Sequence, residues 1–206
     1  MTTHEMRSPN GVAVRYRAGS ALSRMAILGL LVLCACAWRV ASADTWRVDQ
    51  ERSRVGFVAS YDSIEFPGTF RQWQAAIAFD PSAPEQGRLE VDVDMASVDT
   101  KSQDRDAGIR SEEWFDTASF GAARYRSLGI RPLGDGRFAV DAEFEIKGRK
   151  YPLSSEFTWR AAGTGARLSG QVSVDRRTFA VGTGEWADEP IIGFRVLIEY
   201  DLYLTR

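Results

Sequence analysis

Histidine occurs once and cysteine twice in these 206 residues, as His4, Cys34 and Cys36, and neither residue type appears after position 36. A basic stripe is also missing. The 26 Lys and Arg face 28 Asp and Glu, a net charge of -2, which argues against nucleic acid as a partner. No internal repeat, low-complexity tract or Pro/Gly/Ser linker divides residues 44–206, so one domain is expected there. Hydrophobic residues at 44% and charged residues at 26% are the balance of an ordinary globular chain rather than a disordered one.

The first 43 residues read as an export signal that is removed. Arg15, Arg17 and Arg24 precede the apolar run "MAILGLLVLCACAW", and "ASA" at Ala41 to Ala43 supplies the small residues of a cleavage site. The run is shorter than the roughly 20 residues a bilayer-spanning helix needs, and Arg39 closes it. Cleavage after Ala43 gives a mature chain from Asp44, periplasmic or secreted, with no stable membrane span. The minor alternative is a lipoprotein anchored at Cys36, after "LCAC". With the leader go His4, both cysteines, five of the basic residues and one of the acidic ones, leaving 21 basic against 27 acidic residues, a net charge of -6. Such a chain has no disulfide, no Cys or His nucleophile or base and no ordinary zinc site. A binding protein without enzyme activity, metal or cofactor is the expectation.

What the mature chain does have is alternation. In "RLEVDVDMA", Leu89, Val91, Val93 and Met95 face one way and Glu90, Asp92 and Asp94 the other; "FAVDAEFEIKG" repeats the pattern with Val140, Ala142, Phe144 and Ile146. One dry face and one wet face mean an antiparallel sheet. Further strands are expected over Arg54–Ser60, Gly68–Phe79, Ala122–Ile130, Lys150–Trp159, Arg167–Val174 and Ile192–Leu204, separated by turn signals such as "PLGDG", "KGR" and "AAGTGA". Eight strands suggest an up-and-down barrel or a sandwich. The last run would extend roughly 40 Å at about 3.3 Å per residue, which favours a tall barrel, filled or holding one small ligand. The inward set expected is Phe57, Phe70, Leu89, Val91, Phe144, Val172, Val196 and Ile198, with Ala76, Ala78, Ala142 and Gly170 as small neighbours.

Three stretches carry a resemblance. "ASVDTKSQDRDAGIRSEEWFD", with Ser97, Thr100, Arg105, Asp106, Ile109, Arg110, Ser111, Trp114, Phe115 and Asp116, resembles a signature of the YceI-like family of bacterial exported proteins. "FEIKGRKYPLSSEF" resembles that family's hairpin, with Gly148 in the turn and Pro152 entering the return strand. "DRRTFAVGTGEWADEPIIGFRVLIEYDLYL" resembles its C-terminal segment through Arg177, Phe179, Gly182, Gly184, Glu185 and Trp186. Arg52-Ser53 departs from the family's common His-Ser, and Phe120-Gly121 from its Tyr-Pro.

The resemblance implies an all-β, extended eight-stranded antiparallel lipocalin-like β-barrel with a short helix or loop insertion near residues 104–116. It also implies an interior that binds a polyisoprenoid or other long-chain apolar lipid. In that picture Ser111 caps a helical turn, Trp114 and Phe115 point into the mouth, Arg105 and Arg110 face its rim, and Phe179 and Trp186 complete the lining. A plainer picture stands beside it, in which Arg105 pairs with Asp106 or Arg110 with Asp116 merely to hold the connection, and the two aromatics plug a core. Two other classes remain. One is a protein-interaction, stress or electron-transport accessory module with a filled barrel. The other is a carboxylate hydrolase built on Glu185, with Asp188 or Glu189 across a cleft. Gly182-Thr183-Gly184 faintly resembles a phosphate loop without its lysine or helix. A homodimer is left open.

Overall fold

Alternating apolar and charged residues build the middle of the sheet, and the chain closes it by pairing its last strand with its first. The computed structural model describes residues 45–188 and 191–206. The export segment expected over 1–43, with His4, Cys34, Cys36 and the Cys36 anchor, lies outside the described residues, as does Glu189. Strands β1 (Thr45–Val48), β2 (Arg54–Tyr61), β3 (Ile64–Phe70), β4 (Trp73–Ala78), β5 (Arg88–Asp94) and β6 (Val98–Asp99) precede helix α1 (Gln103–Arg110). Strands β7 (Ala122–Gly134), β8 (Arg137–Ile146), β9 (Arg149–Ala162), β10 (Gly165–Asp175) and β11 (Arg195–Thr205) follow it.

These segments form eight staves, because the first three staves are each broken in two. β1 and β2 share one stave, β3 and β4 the next, and β5 and β6 the third. Accordingly β1 pairs with β4, β2 with β3, β4 with β5 and β3 with β6, all antiparallel. From β5 the order runs β7, β8, β9, β10, β11, and β11 returns to both β1 and β2. A closed, eight-stave antiparallel barrel with one short helix is the result. Tight turns match the sequence signals: Lys147 and Gly148, at φ 50° and 67°, join β8 to β9 in a left-handed pair that suits a two-residue hairpin.

The breaks matter for facing. The expected single strand over Gly68–Phe79 is interrupted at Arg71-Gln72, and the interruption shifts the alternation by one residue. Phe70 points inward before it, and Trp73 and Ile77 point inward after it. Ala76 and Ala78 therefore lie on the outer face, not the inner one. The expected strand over Ile192–Leu204 is shorter too: it begins at Arg195, and Ile192 makes only an isolated bridge to Tyr61.

The lower half of the barrel is packed solid. Phe79, fully buried, meets Phe138 at 5.0 Å, Phe157 at 5.4 Å and Trp159 at 4.9 Å between ring centroids. Edge-to-face packing of this kind adds to plain area burial. Trp46 stacks edge-on to Trp159 and donates its indole N–H to the Phe79 carbonyl at 2.8 Å, so its polar atom is satisfied in the dry interior. The plug of this barrel is thus the Phe79 cluster, not Trp114 and Phe115.

Candidate functional site

Above the plug the barrel is hollow. A cavity of about 660 Å³ runs upward from it, walled by apolar side chains. Phe57 on β2, Phe70 on β3, Leu89 and Val91 on β5, Phe144 on β8, Val172 on β10, and Val196 and Ile198 on β11 all line it. Ala142 and Gly170 do not line it. Among the described residues the charged contributors to the wall are Asp104, Arg105, Arg124 and Arg176. Arg124 directs its guanidinium to Glu145 at 3.1 Å and to Asp92 at 3.7 Å.

The cap over this cavity grows out of the third broken stave. A 3-10 turn at Met95–Ser97 separates β6 from β5, and β6 pairs only with β3 while β5 continues to β7. The connection from Thr100 to Gly121 occupies the gap. Ser102 caps α1 by accepting from the Arg105 N–H at 3.4 Å; Ser111, expected as the N-cap, ends the helix instead. Ile109 is buried with Val98, Phe57 and Ala59, which seats the helix on the wall.

The arginines of this segment hold backbone. Arg105 donates to the Thr100 hydroxyl at 2.8 Å and carbonyl at 2.7 Å, and its guanidinium lies 4.3 Å from the centre of the Phe66 ring. Asp106 accepts from the Thr100 N–H and hydroxyl at 2.8 and 2.6 Å. Arg110 donates to the carbonyls of Ala96 and Val98 at 2.8 and 2.9 Å. In place of the ion pairs expected between Arg105 and Asp106 and between Arg110 and Asp116, Arg105, Asp106 and Arg110 make these bonds to Thr100, Ala96 and Val98. Arg105 still borders the cavity; Arg110 does not.

Trp114 and Phe115 are half-buried and border the cavity from above. Phe115 faces Phe70 at 6.3 Å, and Trp114 meets Trp186 at 5.9 Å. Phe179 packs edge-on against Phe144 at 5.3 Å, and it and Trp186 border the cavity as well.

Three residues that the sequence reading did not single out tie the cap together. The Glu113 carbonyl accepts from the N–H groups of Gly182 and Thr183 at 2.8 and 2.9 Å, and its carboxylate accepts from the Trp186 indole at 2.9 Å. Lys147 donates from the β8–β9 turn to the carbonyls of Glu112 and Ala180 at 2.9 and 3.0 Å, and desolvation holds its ammonium below the usual lysine range. Arg176 is 3% exposed. Its guanidinium donates to the carbonyls of Val181, Gly182, Trp186, Ile192 and Gly193 at 2.7 to 3.2 Å. A signal for it existed: Val172 and Val174 are inward on β10, and period two carries the inner face to position 176.

The same loop disposes of two expectations. The N–H groups of Gly182 and Thr183 are spent on Glu113, and only a three-residue 3-10 turn, Gly184–Trp186, follows them. No phosphate cradle exists there. Glu185 is exposed and does not border the cavity, and Asp188 is exposed beside it.

One carboxylate anchors the cap to the neighbouring stave. Asp99 is 5% exposed and accepts from Lys101 at 2.8 Å and Arg71 at 2.7 Å. The hydrogen bonds from Lys101 and then Arg71 hold its carboxyl well below the usual carboxylate range. A depressed folded-state value means the unfolded chain binds the proton more readily, so Asp99 stabilises the fold fully above about pH 4 and progressively less as pH falls. In urea unfolding from pH 6 to pH 2, Asp99→Asn is expected to be less stable than the parent at pH 6, with the gap narrowing below about pH 4. A gap independent of pH would show that the charge contributes nothing.

A closed barrel, plugged below and capped above an apolar chamber, is the architecture of a small-molecule binding protein. The YceI-like domain matches residues 46–204, and the chain belongs to that family. A relative from Pseudomonas fluorescens, described only as a UPF0312 protein, is 30% identical over 166 residues, covering 74% of this chain and 82% of the relative. Another from Azotobacter vinelandii, 30% identical over 86 residues, is matched over 45% of its length and 42% of this chain. Among solved structures, BcnA of Burkholderia cenocepacia superposes with a TM-score of 0.76 at 29% identity, covering 77% of this chain and 100% of that one. A polyisoprenoid binding domain from Saccharophagus degradans, implicated in plant cell wall breakdown, superposes with a TM-score of 0.62 at 17% identity over 79% of this chain and 98% of that one, a likeness of fold.

Proposed function

We propose that the protein is an exported carrier that holds a polyisoprenoid or other long-chain apolar lipid inside its barrel, without catalysis. The observation that carries the reading is the hollow upper half, an apolar chamber of about 660 Å³ above a solid aromatic floor. Each methylene withdrawn from water into such a chamber contributes about 0.8 kcal/mol, so a long chain is held without a specific polar contact. The Saccharophagus domain, described as polyisoprenoid binding, supports the ligand class, and the basic, apolar and "ASA" order of residues 1–43 supports export.

A filled-barrel interaction module is disfavoured by the chamber, and a Glu185 hydrolase by the exposure of that side chain away from it. Mass spectrometry of organic extracts from the exported protein, purified without detergent, is expected to show a co-purifying long-chain lipid. The polypeptide itself is expected to start at Asp44. No lipid, together with no saturable binding of any prenol, would remove the carrier reading; an acylated Cys36 terminus would replace export in free form with a lipid anchor.

A further inference from the structure

The chamber ends at one layer of side chains. At the end of β4, Ile77 borders the cavity, and Phe79, the next inward position, does not. On β10, Leu168 borders it and Ala166 does not; on β11, Leu202 does and Leu204 does not. Leu168 lies opposite Leu202 and, on its other side, opposite Trp159 of β9. Ile77 lies opposite Trp46 of β1, and the two tryptophans meet at 5.2 Å between ring centroids. Ile77, Leu168 and Leu202 are thus the top of the plug and the floor of the chamber at once.

This floor is rigid. The rings of Phe79, Phe138, Phe157 and Trp159 back it within one buried cluster, and Phe79 and Phe157 are among the largest fully buried side chains. A close-packed interior admits a further carbon only by displacing the side chains around it. The wall above is looser, with Val172, Val196 and Ile198 half-buried. At the opposite end the cavity reaches the surface beside the β2–β3 turn, where Ile64 borders it and is 71% exposed. One end is open and the other is fixed.

Volume turns a fixed floor into a length limit. At about 30 Å³ for each non-hydrogen atom, the share of one molecule in liquid water, the chamber of about 660 Å³ holds about 20 of them. That is the size of a prenol of four isoprene units. Each methylene withdrawn from water tightens binding by about fourfold. Affinity therefore climbs with chain length while added units still enter the chamber, and stops climbing once they stay outside.

We propose that Ile77, Leu168 and Leu202 set the length of chain that the barrel takes in, with a ceiling of about four isoprene units. This rests on the carrier reading and adds a size class to the ligand. A longer chain is held by one end, and its remainder stays outside the chamber.

Farnesol, geranylgeraniol and geranylfarnesol, of three, four and five isoprene units, share one head group, so differences among them read the chain alone. Each competes against a fluorescent prenyl analogue, below the concentration at which it self-associates. On the parent protein the step from three to four units is expected to tighten binding by about tenfold or more. The step from four to five should tighten it by less than about fourfold, the effect of one methylene. Leu168→Phe and Leu202→Phe raise the floor and should shrink the first step; Leu168→Ala lowers it and should enlarge the second. Circular dichroism confirms the fold of each variant, and the parent series decides the length limit even where a variant does not fold. Equal steps on the parent overturn the limit and leave the carrier intact. Folded variants that leave both steps unchanged overturn the role of these residues. No saturable binding of any prenol overturns both readings.

Discussion

Arg176→Met is expected to destabilise the protein by at least about 3 kcal/mol, since buried carbonyls left without a donor cost about 1–3 kcal/mol each. Five carbonyls lose a donor at once: those of Val181, Gly182, Trp186, Ile192 and Gly193. Methionine fills much of the volume, so the loss reports on hydrogen bonding rather than on a void. At about 2–4 °C per kcal/mol for a domain of this size, the melting temperature should fall by roughly 6–12 °C. Arg176→Lys should recover only part of the loss, because an ammonium has three donors and no planar fork with which to span five acceptors. Hydrogen exchange locates the damage. The Gly182 and Thr183 amides, bonded to Glu113, should exchange faster than the amides of β8 and β9. A melting temperature within about 2 °C of the parent, less than the shift expected for 1 kcal/mol, would show that the loop is held by other contacts.

The barrel itself was legible because period two is a direct consequence of pleating, and nothing in β5 or β8 competes with it. Its interruptions were not. Arg71-Gln72 carries no glycine or proline to announce a break; what separates β3 from β4 is the pull of the neighbouring stave, where Ser97 accepts from the Gln72 N–H at 3.0 Å and Arg71 reaches Asp99. The resulting one-residue phase shift puts Ala76 and Ala78 on the outer face, against the alternation that an unbroken strand would have. The wall residues of the chamber followed from alternation, as did the aromatic pair at its mouth from its place in the connection. The parts that were missed bond at long range. Glu113 to Trp186 spans 73 residues, and Lys147 to Glu112 spans 35; no local pattern encodes such pairs. Arg176 and Tyr200 differ, since the inward period running through Val174 and through Ile198 reaches both. A polar residue on a dry face was the available signal, and at Arg176 it marks the cap anchor.

Replacing both Trp114 and Phe115 by alanine is expected to accelerate release of a bound prenyl chain by tenfold or more. These rings border the chamber from above, one against Trp186 and one against Phe70. The double variant will also be less stable. Truncating a fully buried aromatic costs about 3–5 kcal/mol, and these half-buried rings should cost less apiece. Stability loss alone therefore says nothing about gating, and a control of matched cost is needed. Phe79→Ala supplies it: Phe79 is fully buried in the plug, so its loss should cost about 3–5 kcal/mol at the end of the barrel away from the mouth. Stopped-flow release of a fluorescent prenyl analogue, measured well below the melting point of every protein, separates the two effects. Fast release from the Trp114/Phe115 variant and near-parental release from Phe79→Ala identify the aromatic pair as the lid. Equal acceleration in both would mean that escape follows general loosening of the barrel, and the cap would then be a structural closure with no control over the ligand.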